Sequence, residues 1–318
     1  MFQLFKKRDF SENISDTIAF FKTFGKHYFK NYFIINGIFL LILVVLFYFI
    51  AKVYMEFIFS LTANQGNPTD YLSTYFDGNL VLFGLIFAVF VFLLIFISLI
   101  NLAYPVVYLQ FIEKNGNSNF DTNQIVGALK ANGSKLIIFF LGLLFIITPL
   151  LLIVFTINVL LCFIIIGIPL FFVTLPAITS WISLSFHEYL IKDVGFFESL
   201  GNGFRLLKQK FWSIIGTTIA VLIILQIVQS IITMVPYVIG LIFFFASASN
   251  LENGGNPHEP LSAMAVVFSV IVVFSVIMGY IFNNFIFINQ GLIYYGLREE
   301  NEKHTTKSQI DLIGTDSE

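Results

Sequence analysis

Hydrophobic and polar positions divide the chain into long uncharged apolar runs separated by short polar stretches. Six runs, at residues 33–54, 80–102, 136–157, 169–186, 212–235 and 263–286, approach or exceed the length an α-helix needs to cross a hydrocarbon core of about 30 Å. Lipid offers backbone amides no partner, so a spanning segment is a helix or a closed-barrel strand, and runs of this length and density fit only helices. The pattern therefore predicts an all-α, polytopic integral membrane helix bundle of six transmembrane helices. A seventh apolar run, residues 237–246, follows Pro236 and is too short to span, so it reads as an interfacial or re-entrant element. The uncharged stretch 136–186 holds two spans. Its turn is expected between Asn158 and Gly167, with Pro169 in the first turn of the next helix and Pro149 and Pro176 bending the spans that contain them.

Between the runs, three polar segments keep a helical period. Phe197, Leu200, Phe204, Leu207 and Phe211 recur at spacings of three and four and form a candidate interfacial face, with Glu198, Asn202, Arg205 and Gln209 lying off it. Phe10, Ile14, Ile18, Phe21 and Phe24 repeat the design, and Ile125, Ala128 and Leu129 repeat it more weakly between residues 120 and 135. An apolar face beside cations suits a helix lying in the headgroup layer, and equally one that forms the floor of a bundle. The recurrence suggests three units, each an amphipathic helix with two spans.

Charge sets the expected orientation. Apolar residues make up 58% of the chain and charged residues 11%, which excludes a water-soluble fold. Lys and Arg resist translocation, and they crowd into the N-terminal segment, the loops around Lys130 and Lys208, and the tail. The loops 64–79 and 250–260 carry Asp70, Asp77, Glu252 and Glu259 but no cation, so they are expected outside and both termini inside the cytoplasm. Lys52 alone breaks the pattern; with Glu56 four residues on, it reads as a snorkelling anchor. The basic, amphipathic start reads as a retained segment rather than a signal peptide. The chain thus divides into a cytoplasmic segment 1–31, a membrane domain 32–297 and a flexible tail 298–318.

Residues 181–212 read WISLSFHEYLIKDVGFFESLGNGFRLLKQKFW, and the final helical stretch contains INQGLIYYGLREENEK. Through Glu188, Gly195, Glu198, Leu200, Leu207, Lys208 and Trp212 the first patch resembles the membrane domain of the glycerophosphoryl diester phosphodiesterase membrane-domain family and its uncharacterised bacterial relatives. The resemblance implies a bacterial inner-membrane protein. It does not imply hydrolysis, because the catalytic part of such enzymes resembles a TIM barrel of about 250 residues, for which the soluble stretches here leave no room.

No P-loop, H-E-x-x-H, nucleophile elbow or metal-spaced cluster is visible, so no catalytic residue, cofactor or metal is expected. Cys162 is the one cysteine and reads as a packing residue. His187 and Glu188 are neighbours, but adjacent helical residues diverge, which favours a structural role. Asn36, Asn101, Asn283 and Asn284 fall at similar depth on three spans and form a candidate intramembrane polar layer, as interhelical glue or as the lining of a shallow cavity. The expected role is non-enzymatic: organising membrane lipid or a membrane-protein partner, without nucleic acid. The alternative is a small-molecule or lipid transporter.

Overall fold

The computed structural model describes residues 2–62, 80–252 and 258–303, which form eight helices with no strand among them. They are α1 (Phe10–Thr62), α2 (Leu80–Asn115), α3 (Thr122–Ala131), α4 (Gly133–Cys162), α5 (Gly167–Ile191), α6 (Phe196–Gln209), α7 (Phe211–Glu252) and α8 (His258–Glu302). Six of these, α1, α2, α4, α5, α7 and α8, are long and apolar enough to cross a membrane. Each contains one of the six runs read from the sequence.

The helices are longer than the runs. α1 has 53 residues, about 80 Å at 1.5 Å per residue, so the amphipathic start and the first span are one helix rather than two elements. Residues 237–246 continue α7 past Pro236 instead of forming a separate interfacial piece. α8 runs to Glu302, so the first residues assigned to the flexible tail are helical. Residues 63–79, 253–257 and 304–318, with Asn67, Asp70, Asp77, Asn253 and His304, lie outside the described residues, as do the side chains of Lys52 and Glu56.

Local chemistry explains the short elements. Asp121 caps α3: its carboxylate accepts from Gln124 N at 2.9 Å while Gln124 Oε1 accepts from Asp121 N at 3.0 Å, the reciprocal pairing that satisfies two orphan amides. α4 ends at Cys162 and α5 begins at Gly167, within the turn expected from the sequence, and Pro169 sits in the first turn of α5. Just before Pro149, residues Leu143–Ile147 of α4 widen into a π turn.

The chain divides into two compact units: residues 1–35, 99–224 and 283–318 form the first, and residues 36–98 and 225–282 the second. The first has an aromatic core in which Tyr28, Tyr32, Tyr104 and Tyr108 are fully buried, with the Tyr28 ring 4.8 Å from those of Tyr104 and Tyr108. In the second, Leu40, Leu43, Leu93 and Ile97 are buried and Phe39 meets Phe96 edge to face at 4.9 Å. The spanning helices leave many Leu, Ile, Val and Phe side chains exposed, the surface expected where the solvent is hydrocarbon.

Candidate functional site

The polar side chains of the first unit bond helix to helix. Asn284 Nδ2 donates to Asn101 Oδ1 at 3.4 Å, and Tyr28 OH donates to Asn284 Oδ1 at 2.7 Å, so α8, α2 and α1 are tied at one level. Two of the four predicted asparagines are thus brought together. Asn283 is exposed. Asn36 belongs to the second unit, is fully buried, and neither polar atom of its side chain has a hydrogen-bond partner among the described residues.

Further polar bonds escaped the sequence reading. Asn289 Nδ2 donates to Thr17 Oγ1 at 2.9 Å and to Asn13 O at 3.2 Å, and Gln290 Nε2 donates to Thr218 Oγ1 at 2.8 Å, with Ser180 Oγ 2.9 Å from the same hydroxyl. The Asn-Gln-Gly run of α8 carried the signal. Gly291 packs so closely on Leu109 and His187 that a side chain there would collide with them, and this brings the flanking amides onto α1 and α7.

His187 and Glu188 are both buried. His187 Nδ1 lies 2.7 Å from Ser183 O, and a carbonyl only accepts, so Nδ1 carries the proton. The ring packs against Tyr294 with centroids 5.0 Å apart. Glu188 accepts from Tyr294 OH at 3.0 Å and from Asn202 Nδ2 at 3.3 Å, with Lys192 Nζ at 3.7 Å. A second carboxylate, Glu113, accepts from Tyr295 OH at 2.7 Å and from Arg298 at 3.1 Å. His27 bridges Tyr108 OH and Phe120 O, each at 2.9 Å.

The residues before α1 are fastened by Arg8. Its guanidinium donates to Gln3 O at 2.7 Å, Leu4 O at 2.9 Å, Leu292 O at 3.2 Å and Asp16 Oδ2 at 2.9 Å. Burial lowers the Arg8 pKa from its usual value and Asp16 opposes that shift, so the group stays charged. Lys6 pairs with Glu12 at 3.0 Å, and that hydrogen bond raises its pKa. Lys210 donates to Arg8 O at 3.2 Å and pairs with Glu300.

The predicted interfacial face of α6 divides into two sectors. Leu200 and Leu207 are buried with Ser199, Gly203 and Leu206, whereas Phe197 is 69% exposed and Phe204 48%. Phe211 is half-buried, and Trp212 beyond it is 73% exposed. α6 can sit against α5 because both are slender there: Gly203 lies on the backbone of Ser185, and Trp181 Nε1 donates to Leu200 O at 2.9 Å. Lys208 Nζ stands 4.5 Å over the Phe204 ring. α1 behaves alike. Asn13, Thr17, Phe20, Phe24 and Tyr28 face inward, while Phe10 and Ile18 of the predicted face are exposed.

Comparison with protein-family models, curated proteins and solved structures finds no match to this chain.

Proposed function

We propose that this chain is a non-enzymatic bacterial inner-membrane protein with both termini in the cytoplasm, organising lipid or a membrane partner through its amphipathic helices. The observation that carries this reading is the outward row Phe197, Phe204 and Trp212 beside Lys208, on a helix whose other side is already packed. Aromatic rings next to a cation suit the headgroup layer, where each Lys or Arg near an anionic surface contributes about 1 kcal/mol. The resemblance of residues 181–212 to the membrane domain of the phosphodiesterase family agrees with a role that needs no catalytic barrel. Polar side chains of the first unit are bonded to one another, which suits a scaffold better than a polar path.

The test uses the full chain in vesicles containing anionic lipid. Nitroxides placed near the lipid headgroup are expected to quench parent fluorescence more than that of Trp212→Phe, and Phe204→Asp is expected to retain less anionic lipid while keeping its fold. Leu207→Asp, at a buried position, is expected to unfold. Quenching of Trp212 by aqueous iodide but not by lipid nitroxides would refute the interfacial reading. The second reading, a small-molecule or lipid transporter, draws on Asn36, whose buried polar atoms have no partner among the described residues. Substrate movement across vesicles that is lost in Asn36→Leu would favour it.

A further inference from the structure

The hairpin of α4 and α5 contains a crevice of about 250 Å³ that the polar bonding above does not involve. It lies between residues 148–158 of α4 and 171–178 of α5, with apolar walls that include Val154, Phe155, Phe171 and Leu175. Near the turn the helices are pinched together, because Gly167 sits on the backbone of Asn158 and Cys162. Phe155 then meets Phe171 edge to face at 5.3 Å. Near the other end lie the π turn, Pro149 and Pro176, the features that disturb regular helix packing.

Polar groups lining the crevice differ in one respect. Thr148 and Thr174 turn their hydroxyls back onto Leu143 O at 2.9 Å and Leu170 O at 2.8 Å. Asn158 is 3% exposed, and its Nδ2 donates to Val154 O at 2.9 Å. A carbonyl must face the amine of that amide, so Oδ1 is the atom left over, and it has no partner. A buried acceptor in an apolar groove calls for a donor.

Dimensions select the donor's carrier. Residues 148–158 cover about 15 Å of helix, half of a hydrocarbon core of about 30 Å, so the crevice extends through one leaflet. Its mean cross-section is then roughly 17 Å², room for one alkyl chain, whereas a helix about 10 Å across fills about 80 Å². Asn158 lies about one turn from the end of α4, the depth at which a lipid's polar backbone meets its chains.

We propose that this crevice is a lipid site. It takes one acyl chain of a membrane lipid bearing a free hydroxyl, and that hydroxyl donates to Asn158 Oδ1. The assignment rests on the hairpin crossing the membrane and not on the role given to α6, so its failure would leave the Trp212 quenching result standing.

The experiment compares two photoreactive probes in vesicles holding the full chain: a diacylglycerol with a diazirine in one acyl chain, and the same molecule with its hydroxyl methylated. Adducts are mapped by mass spectrometry against the exposed stretch 85–92 of α2 as an internal standard. In the parent, residues 148–178 are expected to be labelled above that standard, with the hydroxyl probe ahead by roughly fivefold, the worth of one ordinary hydrogen bond. Asn158→Leu should equalise the probes while keeping the adducts, and Val154→Trp should abolish both. Labelling no greater than that of α2, equal labelling by the two probes in the parent, or cross-links joining two copies through this hairpin would each overturn the proposal. Should Val154→Trp fail to fold, the parent and Asn158→Leu comparisons still decide it.

Discussion

Adding one methyl group at Gly203 should separate α5 from α6. An ideal Cβ there would lie 2.6 Å from Ser185 N and 2.8 Å from Ser185 Cα, distances that real Cβ atoms essentially never show. These are backbone atoms of a buried turn, so α6 has to move outward by roughly half an ångström or more to restore van der Waals contact. Overpacking of this kind costs about 1–3 kcal/mol, and weakening the Trp181–Leu200 hydrogen bond in the same interface adds about 0.5–1.5 kcal/mol. Alanine is a better helix former than glycine by about 1 kcal/mol, which offsets part of that loss. Gly203→Ala is therefore expected to be net destabilising by roughly 1–3 kcal/mol. Gly201 supplies the control, since it is exposed and a Cβ there meets nothing within 4 Å. Gly201→Ala keeps only the helix gain and is expected to stabilise by about 0.5–1 kcal/mol. Equilibrium unfolding in mixed micelles, followed by tryptophan emission, reads both. Removing the Ser185 hydroxyl with Ser185→Gly should recover only a fraction of the Gly203→Ala loss, because the backbone clash remains. A Gly203→Ala protein as stable as the parent would refute the close-packed crossing.

Arg8→Ala, which strips a buried guanidinium from Asp16 and three carbonyls, is expected to cost about 3–5 kcal/mol in the same assay, whereas Lys6→Ala, at a part-exposed pair, should cost less than about 1 kcal/mol. In a Cys162→Ser background, single cysteines near Lys130 and Lys208 are expected to stay unlabelled by impermeant reagents in intact cells, while cysteines at Asn67 and Asn253 react; labelling near Lys208 would overturn the orientation. The purified protein is expected to leave glycerophosphodiesters intact, and turnover that disappears in Glu188→Gln or His187→Ala would contradict a non-enzymatic role.

Span number and the place of the α4–α5 turn were legible because both depend on run length and on turn residues close together in sequence. Residues 237–246 misled because Pro236 was read as an end, whereas it lies inside one continuous helix, as prolines do where neighbouring groups take up the freed carbonyl. Helical period revealed that residues 196–211 are amphipathic but not which sector packs. Lipid is as apolar as leucine, so hydrophobicity does not separate the bundle side from the lipid side. Size does: Gly203 and Ser199 face α5 while Phe197 and Phe204 face out. The same failure hid the inward side of α1, where Asn13 and Thr17 are buried because Asn289 of α8 reaches them. Glu188 looked unremarkable because its partner Tyr294 stands 106 residues away.

That long-range character makes the Arg8 fastening an event in time. The carbonyl of Leu292 that it grips lies 284 residues downstream. At the ordinary pace of synthesis, about 5–20 residues per second, the arginine is made roughly 15–60 seconds before its anchor exists. During that interval the N-terminal residues have nothing on α8 to hold, and a strongly hydrated cation is a side chain that can wait in water without aggregating. Closure then follows completion of the last helix, so a ribosome stalled before residue 292 would leave a chain with its leading end still loose. Protease sensitivity of that end would report whether the final helix has been delivered.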